Sequence, residues 1–192
     1  MLEIATTFHC GIKAVADANK NTFVVLSTVG AVLIPCINHP NIKAVMSPGL
    51  AGQEPSNSLA DAILGKVNPS GRFPYTITKK HDNYNVHSDP DAQVNHSEKL
   101  LVGYRWFYQA NVEPLFPFGD GLSYTKFDHS RLKVKAKKNK DSVTNIASFS
   151  AKDSGEVDGA AVVEAYVSFP ESPGELPKLL RGFEKVNIKS GK

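Results

Sequence analysis

Cysteine, charge of one sign and long hydrophobic runs are all scarce in this chain. Its 192 residues include two cysteines, Cys10 and Cys36, which are too few for a disulfide scaffold and lack the Cys/His spacing of a structural zinc site. We expect them to be ordinary buried thiols. A formal net charge of +3, with 21% charged residues, favours neither nucleic acid nor an acidic polymer as a partner. No segment has the roughly 20 apolar residues of a membrane-spanning helix, so no membrane insertion is expected.

The first residues also lack the features of a secretory signal. The sequence MLEIATTFHCGI has an early acidic residue, Glu3, no basic start and no long apolar run. The sequence as written therefore predicts no export. Asn95 is followed by His96 and Ser97 and so meets the acceptor rule for N-glycosylation, which matters only in an exported protein. The localisation of the protein stays open on these observations.

Motifs for nucleotide binding and for triad hydrolases are absent. Gly30 stands alone after a predicted strand and forms no phosphate loop, and the sequence contains neither a dinucleotide fingerprint nor a nucleophile elbow. His81 and His87 lie near Asp82 and Asp89 in a polar stretch, which favours a solvated loop over a metal site. We predict no cofactor and no metal ion.

What the chain does contain is enough apolar sequence, 41% of its residues, to bury one ordinary core or two small ones. In the first part, short apolar runs alternate with helical patterns, which is typical of an α/β layer. Thr22 to Thr28 is apolar on both faces and predicts a central strand covered by helices. Asn41 to Met46 predicts a second strand. A glycine loop then leads into a helix that is expected to be capped by Ser56 or Asn57 and to end at Gly65.

The second part has a different pattern. From about His81 to Phe118, polar residues and scattered aromatics with weak periodicity indicate a long connecting segment. Beyond Leu122, four alternating runs separated by turn signals are typical of a β-sandwich. These runs are RLKVKAK, SVTNIASFSAK, AAVVEAYVSF and LLRGFEKVNI. Lysines in the first run alternate with Leu132, Val134 and Ala136, so we interpret them as solvent-facing strand residues and not as a nucleic-acid surface.

Two turn motifs precede these strands. In FPFGDGL, from Phe116 to Leu122, Pro117 fixes one dihedral and two glycines permit positive φ. We expect a sharp hinge there, with Phe116 and Phe118 filling apolar sites. The segment NPSGR, from Asn68 to Arg72, is likewise a turn signature. Both motifs are interpreted as architectural.

Three long segments carry a resemblance to a known family. They are GLAGQEPSNSLADAILGKVNPSGRFPYTI from Gly49 to Ile77, GYRWFYQANVEPLFPFGDGLSYTKF from Gly103 to Phe127, and DGAAVVEAYVSFPESPGELPKLLRGFEKV from Asp158 to Val186. In this order they resemble the end of the second domain, the linker and part of the third domain of β-glucosidases of glycoside hydrolase family 3.

The resemblance implies an α/β sandwich remnant followed by an all-β fibronectin type III-like (immunoglobulin-like) sandwich. Residues 1–80 are assigned to the carboxy-terminal part of the α/β sandwich domain, 81–121 to the linker and 122–192 to the partial fibronectin type III-like domain. We expect both domains to be incomplete. Met1 to Gly11 match the family poorly, which favours a truncation, a gene-model fragment or a decayed gene. Incomplete sheets expose strand edges and apolar faces, so low stability and self-association are predicted.

The chemistry that the resemblance implies is retaining hydrolysis of terminal β-D-glucosyl residues of a β-glucoside or oligosaccharide, as in cellulose degradation. Such enzymes use a nucleophilic carboxylate and an acid/base carboxyl about 5–5.5 Å apart. In the family the nucleophilic aspartate belongs to an amino-terminal barrel of about 250 residues, and the acid/base glutamate lies upstream of the segment that matches Ile12. No catalytic residue is therefore predicted here, the substrate-binding residues stay unknown, and the chain alone is expected to be inactive.

Three carboxylates are candidates for replacing that missing pair. Glu54 follows a glycine loop after a strand, where α/β folds place ligands, although we favour an interaction with the amino end of the next helix. Asp61 is interpreted as solvated or capping, and Asp120 as a side chain that bonds to nearby backbone in a turn. A stand-alone enzyme using Glu54 stays open as a hypothesis beside the inactive piece of a β-glucosidase.

A third hypothesis is a non-catalytic carbohydrate-binding or scaffold module. Its motivation is an aromatic cluster formed by Tyr104, Trp106, Phe107 and Tyr108. Amphipathic rings of this kind can stack on the face of a sugar. The alternative, which we favour, is that the cluster buries the linker against the second domain, to which residues 1–80 are assigned.

Overall fold

The computed structural model describes residues 6–86, 96–140, 142–170, 176 and 178–191, with residues 6–10 described by their backbone. Within these residues the helices are α1 (Thr6–Ala18), α2 (Pro55–Ile63) and α3 (Tyr104–Gln109), with a 3-10 turn at His81–Asn83. The strands there are β1 (Thr22–Val25), β2 (Ile42–Met46), β3 (Phe127–Lys138), β4 (Val143–Asp153), β5 (Gly159–Val167) and β6 (Leu179–Ile188). No helix in the described residues is both long enough and apolar enough to span a membrane.

The first sheet is a parallel pair of β1 and β2. Thr22 and Val24 are buried, whereas Phe23 and Val25, which point to the opposite face, are 41% and 39% exposed. The prediction of a central strand covered on both faces is therefore wrong for this chain. β1 has a single partner strand, and the described residues cover one of its faces.

The covered face of β1 packs on the loop that follows it. Five buried residues form this core, namely Val24, Leu26, Val32, Ile34 and Cys36. Cys36 is a free thiol whose pKa is raised by burial. The expectation of a buried thiol is confirmed for Cys36, while the side chain of Cys10 lies outside the described residues.

Helix α2 begins earlier than its capping signals predict. Glu54 is the residue before the helix and Pro55 occupies its first turn, where a missing N–H costs nothing. Ser56 and Asn57 lie inside that turn, so the prediction that one of them caps the helix is wrong. The predicted end is confirmed, because Gly65 follows the helix with a φ of 73°, a conformation that glycine adopts without strain.

Four strands in the second part coincide with the four alternating runs. β3 pairs with β4 and β5 pairs with β6, both antiparallel. A bulge interrupts the register between Ser130 and Lys133, and Arg131 within it has a φ of 57°. The lysines of β3 are exposed as predicted, but so are Leu132 and Val134, at 70% and 64%.

The FPFGDGL turn joins the two parts through paired backbone bonds. Phe73 N donates to Asp120 O at 2.9 Å, and Gly119 N donates to Phe73 O at 2.9 Å. Gly119 has a φ of 80°, as predicted. Gly121 lies outside the positive-φ region, so the expectation of two such glycines is wrong for it. Close packing requires glycine at position 121, because a Cβ there would lie 2.5 Å from the carbonyl oxygen of Gly71.

The NPSGR turn contributes a second connection through one side chain. Asn68 Oδ1 accepts hydrogen bonds from the Ser123 hydroxyl and from Tyr124 N, both at 2.8 Å. Its amide group donates to Asp158 O at 3.1 Å. One asparagine thus links the loop after α2 to the segments on both sides of the first hairpin.

Candidate functional site

The three carboxylates that could replace a catalytic pair lie in separate local environments. Glu54 is exposed and accepts a hydrogen bond from the Asn57 amide at 2.5 Å, across the first turn of α2. Asp61 lies 3.3 Å from Lys66 Nζ. The Asp120 backbone takes part in the turn through Phe73, and no side-chain bond of Asp120 is recorded among the described residues. The geometry therefore gives none of the three a partner carboxyl.

The described residues include only part of the metal and glycosylation candidates. Within the described part of the chain, no group of three His, Cys, Asp or Glu residues could hold a metal ion. His81 Nδ1 lies 3.8 Å from Asp82 Oδ1 on the 3-10 turn. His87, Asp89 and Asn95 lie outside the described residues.

A buried carboxylate lies at the end of β4, in a segment that the sequence marks as a turn. Asp153 is 0% exposed, and its Oδ1 accepts hydrogen bonds from the Thr125 hydroxyl and from Gly155 N. Its Oδ2 is buried and has no partner in the structure. The signal was the turn sequence Asp-Ser-Gly, in which an aspartate often accepts the N–H two residues later. This geometry gives Asp153 a structural role in holding the turn to the segment before β3.

The aromatic cluster divides between two environments. Phe107 is 5% exposed and packs edge-on against Tyr84, with 5.5 Å between ring centroids. The Trp106 indole donates to Asn83 O at 2.8 Å. Both contacts join residues of the linker, so burial of the linker against the α/β domain stays a prediction. Tyr104 and Tyr108 line a cavity, to which Phe107 also contributes.

This cavity, here called the linker cavity, has a volume of about 290 Å³. Its walls come from α3, the segment after it, the hinge and β5. Its lining residues include Thr76, Tyr104, Tyr108, Asn111, Glu113 and Tyr166. Tyr166 lies far beyond Tyr108 in the sequence, so no local pattern could reveal the cavity.

Each charged side chain around the linker cavity has an identified partner. Lys178 Nζ lies 4.1 Å from the centroid of the Tyr166 ring and 4.9 Å from that of Tyr108. The Tyr166 hydroxyl donates to Glu164 at 2.7 Å, and its burial together with this carboxylate raises the pKa of Tyr166. Glu113 pairs with Lys79, and the hydrogen bond from that ammonium lowers the pKa of Glu113.

Comparison with known proteins decides the family. A family profile described as the glycosyl hydrolase family 3 C-terminal domain matches residues 7–124, more than half of the chain. The chain belongs to glycosyl hydrolase family 3. The resemblance seen in the three sequence segments is thereby confirmed.

Individual relatives extend this match to most of the sequence. A probable β-glucosidase D of Aspergillus niger is 39% identical over 94% of this chain and 26% of its own length. The crystal structure of β-D-glucoside glucohydrolase from Trichoderma reesei is 36% identical, with a TM-score of 0.91 over 100% of this chain and 29% of the other. DesR, a β-glucosidase from Streptomyces venezuelae solved with D-glucose, is 36% identical with a TM-score of 0.88, over 100% of this chain and 25% of its own.

Two facts follow from these comparisons. The chain spans about a quarter of the length of the curated relatives that it matches. Because the structural matches cover the whole chain, the strand-rich part after residue 124 also has a counterpart in family 3 enzymes.

Proposed function

We propose that this chain is the carboxy-terminal part of a family 3 β-glucosidase, and that the complete protein hydrolyses terminal β-D-glucosyl residues of β-glucosides or oligosaccharides. The observation that carries the proposal is the structural match to the Trichoderma reesei enzyme, with a TM-score of 0.91 over 100% of the chain. The curated relatives that match 94% of the chain are named as β-glucosidases as well.

Within that protein the chain has a supporting and not a catalytic role. Retaining hydrolysis needs two carboxyl groups about 5–5.5 Å apart, one as nucleophile and one as acid and then base. Glu54 and Asp61 offer no such pair, since each carboxylate is engaged with its own neighbour, and Asp120 contributes backbone bonds to the turn. Both catalytic groups are then supplied by residues outside this chain.

The finer domain assignment is part of the same proposal. Residues 1–80 form the end of the α/β sandwich domain, 81–121 the linker and 122–192 part of a fibronectin type III-like sandwich. Two features support this division. The β3–β4 and β5–β6 hairpins are separate antiparallel pairs, as two sheets of a sandwich would supply, and β4 contacts β6.

The purified chain is expected to leave p-nitrophenyl β-glucoside uncleaved. The assay compares the chain, a Glu54→Gln variant and an enzyme-free blank, with a known family 3 β-glucosidase as positive control. Both forms of the chain should match the blank. Turnover that coelutes with the protein and disappears in Glu54→Gln would show that Glu54 is catalytic, and the supporting role would then be wrong.

Self-association with a second copy of the chain is also expected. The strand register places Val134, Ala136, Val143 and Phe149 on one face of the β3–β4 hairpin. Val134 is 64% exposed, Val143 57% and Phe149 42%. Covering such a face removes apolar surface from water at about 25 cal/mol per Å². Light scattering coupled to size exclusion should therefore show a mass that rises with protein concentration.

A pair of lysine variants tests whether this face is responsible. Val134→Lys places a charge on the apolar face and is expected to shift the protein towards the monomer. Thr144→Lys adds the same charge on the opposite face of the same hairpin, where Thr144 pairs with Lys137, and should leave the association unchanged. A wild-type protein that remains monomeric at every concentration, or an equal response of the two variants, would exclude this face as the contact.

A further inference from the structure

The two faces of the β3–β4 hairpin differ in chemistry. The strand register places the apolar Val134 and Ala136 on one face. The other face carries Lys133, Lys135 and Lys137, here called the lysine row. All three lysines are exposed, and no ion pair joins any of them to a described residue. The row therefore presents positive charge without a counter-charge from the described part of the chain.

The positive charge of the protein is concentrated in this hairpin. Residues 127–153 contain seven lysines and arginines and three aspartates, so their formal net charge is +4, whereas that of the whole chain is +3. The remaining residues together carry a net charge of −1. The nearly balanced total therefore includes a local excess of positive charge on one hairpin. A surface of this kind attracts an anionic partner before contact is made.

A line of hydroxyl groups runs beside the lysine row. Ser148 pairs with Lys133 in the strand register and Thr144 pairs with Lys137, and both hydroxyl residues are exposed. Successive lysines of the row are about 7 Å apart along β3, and the neighbouring strand lies about 5 Å away. An ammonium group only donates hydrogen bonds, whereas a hydroxyl both donates and accepts them. The face thus offers charge and hydrogen bonding in two parallel lines.

We propose that this face binds a linear acidic polysaccharide, specifically a polyuronate, whose chain runs along the lysine row. A polyuronate carries a carboxylate on each sugar and is otherwise rich in hydroxyl groups. The ammonium groups of the row suit the carboxylates, and the hydroxyls of Thr144 and Ser148 suit the neutral groups. The inference does not depend on the hydrolysis proposed above, because it concerns binding at a surface without turnover.

Other anionic partners fit this face less well. Single-stranded nucleic acid is usually held by bases that stack on aromatic rings. The rings of His129 and Phe149 lie 6.2 Å apart on the opposite face of the hairpin, where a ligand on the lysine row does not reach them. A membrane surface is held by apolar side chains as well as by charge. Among the paired residues of this face, Ile146 alone is large and apolar, and it is 54% exposed.

Fluorescence anisotropy of a labelled oligogalacturonide, titrated with the full 192-residue chain, tests the proposal. We expect saturable binding that weakens by roughly tenfold between about 50 and 200 mM salt, because salt screens exposed charges. Unlabelled polygalacturonate should compete for the site, and neutral dextran at the same sugar concentration should not.

Glutamine variants of the lysine row test where the polysaccharide binds. Lys133→Gln, Lys135→Gln and Lys137→Gln, combined in one chain, are expected to weaken binding by roughly tenfold or more, because the attraction is lost with each charge. These side chains are exposed, so the fold should be retained. If the triple variant does not fold, Lys135→Gln alone decides the question, with an expected loss of about threefold.

A matched triple variant separates the row from overall charge. Lys20→Gln, Lys43→Gln and Lys66→Gln together remove the same charge from exposed positions of the α/β part, and binding should stay within about twofold of wild type. Three results would overturn the proposal. They are the absence of saturable binding to the folded wild type, equal weakening by the two triple variants, and tighter binding of single-stranded DNA or phosphatidylserine vesicles at an equal concentration of negative charge.

Discussion

Replacing Asp153 with alanine is expected to lower the free energy of unfolding by about 3 kcal/mol. The substitution leaves the Thr125 hydroxyl and Gly155 N without their acceptor in a site where Asp153 is 0% exposed. Each abandoned buried donor costs about 1–3 kcal/mol, and part of this loss is offset because Oδ2, which has no partner, is removed as well. Urea denaturation followed by circular dichroism measures the change.

Two control variants distinguish the loss of these hydrogen bonds from the general effect of replacing an aspartate. Asp153→Asn keeps an oxygen that both donors can reach but puts its amide group where Oδ2 has no partner, so it should lose less stability than alanine without matching the wild type. Asp128→Ala makes the same substitution at an exposed position of β3 and should stay within about 0.5 kcal/mol of wild type. If alanine and asparagine at position 153 were equally stable, the two accepted hydrogen bonds would not be what holds this turn.

Much of the secondary structure follows from periodicity alone. The four strands β3 to β6 coincide with runs in which apolar and polar residues alternate, and Gly65 marks the end of α2. These signals are local, because a turn or a strand face is encoded by residues within a few positions. The capping signals of Ser56 and Asn57 predict a start for α2 that is too late, because Pro55 is equally suited to a first helical turn.

The environment of a strand is not a local property. Phe23 and Val25 are as apolar as Val24, and such a run predicts cover on both sides. In the structure they are 41% and 39% exposed, because β1 has one neighbouring strand and the described residues cover only its other face. An apolar run therefore predicts that its side chains tend to be buried. It does not identify the element that covers them.

The linker cavity shows the same limit. The cluster around Tyr104 and Tyr108 was visible in the sequence as a stretch of rings. The path of the linker between the two parts decides which of these rings line the cavity. It also brings Tyr166, from β5, against them. The hydroxyl of Thr76 carried no sequence signal, since threonine in an extended segment is ordinary.

The hinge offers the second large effect, because Gly121→Ala is expected to lower the free energy of unfolding by about 2 kcal/mol. An added Cβ would lie 2.5 Å from Gly71 O and 3.0 Å from the guanidinium of Arg72. Backbone cannot move away as a flexible side chain can, so the NPSGR turn and the FPFGDGL turn must separate. That separation strains the bonds between Phe73 and the hinge, which connect the two parts of the chain. Denaturant titration of the variant gives the value.

Gly182→Ala is the control that isolates this crowding. Gly182 lies in β6, and no atom lies within 4 Å of the place that an added Cβ would take, so the same methyl group meets open space. Alanine there removes backbone freedom from the unfolded chain and should leave stability unchanged or raise it by up to about 1 kcal/mol. Equal losses for the two variants would mean that close approach at the hinge is not what requires glycine. A loss of stability at Gly121 alone would instead show that the contact between the two turns, about fifty residues apart in sequence, requires glycine. The relative placement of the α/β part and the hairpins would then depend on this contact.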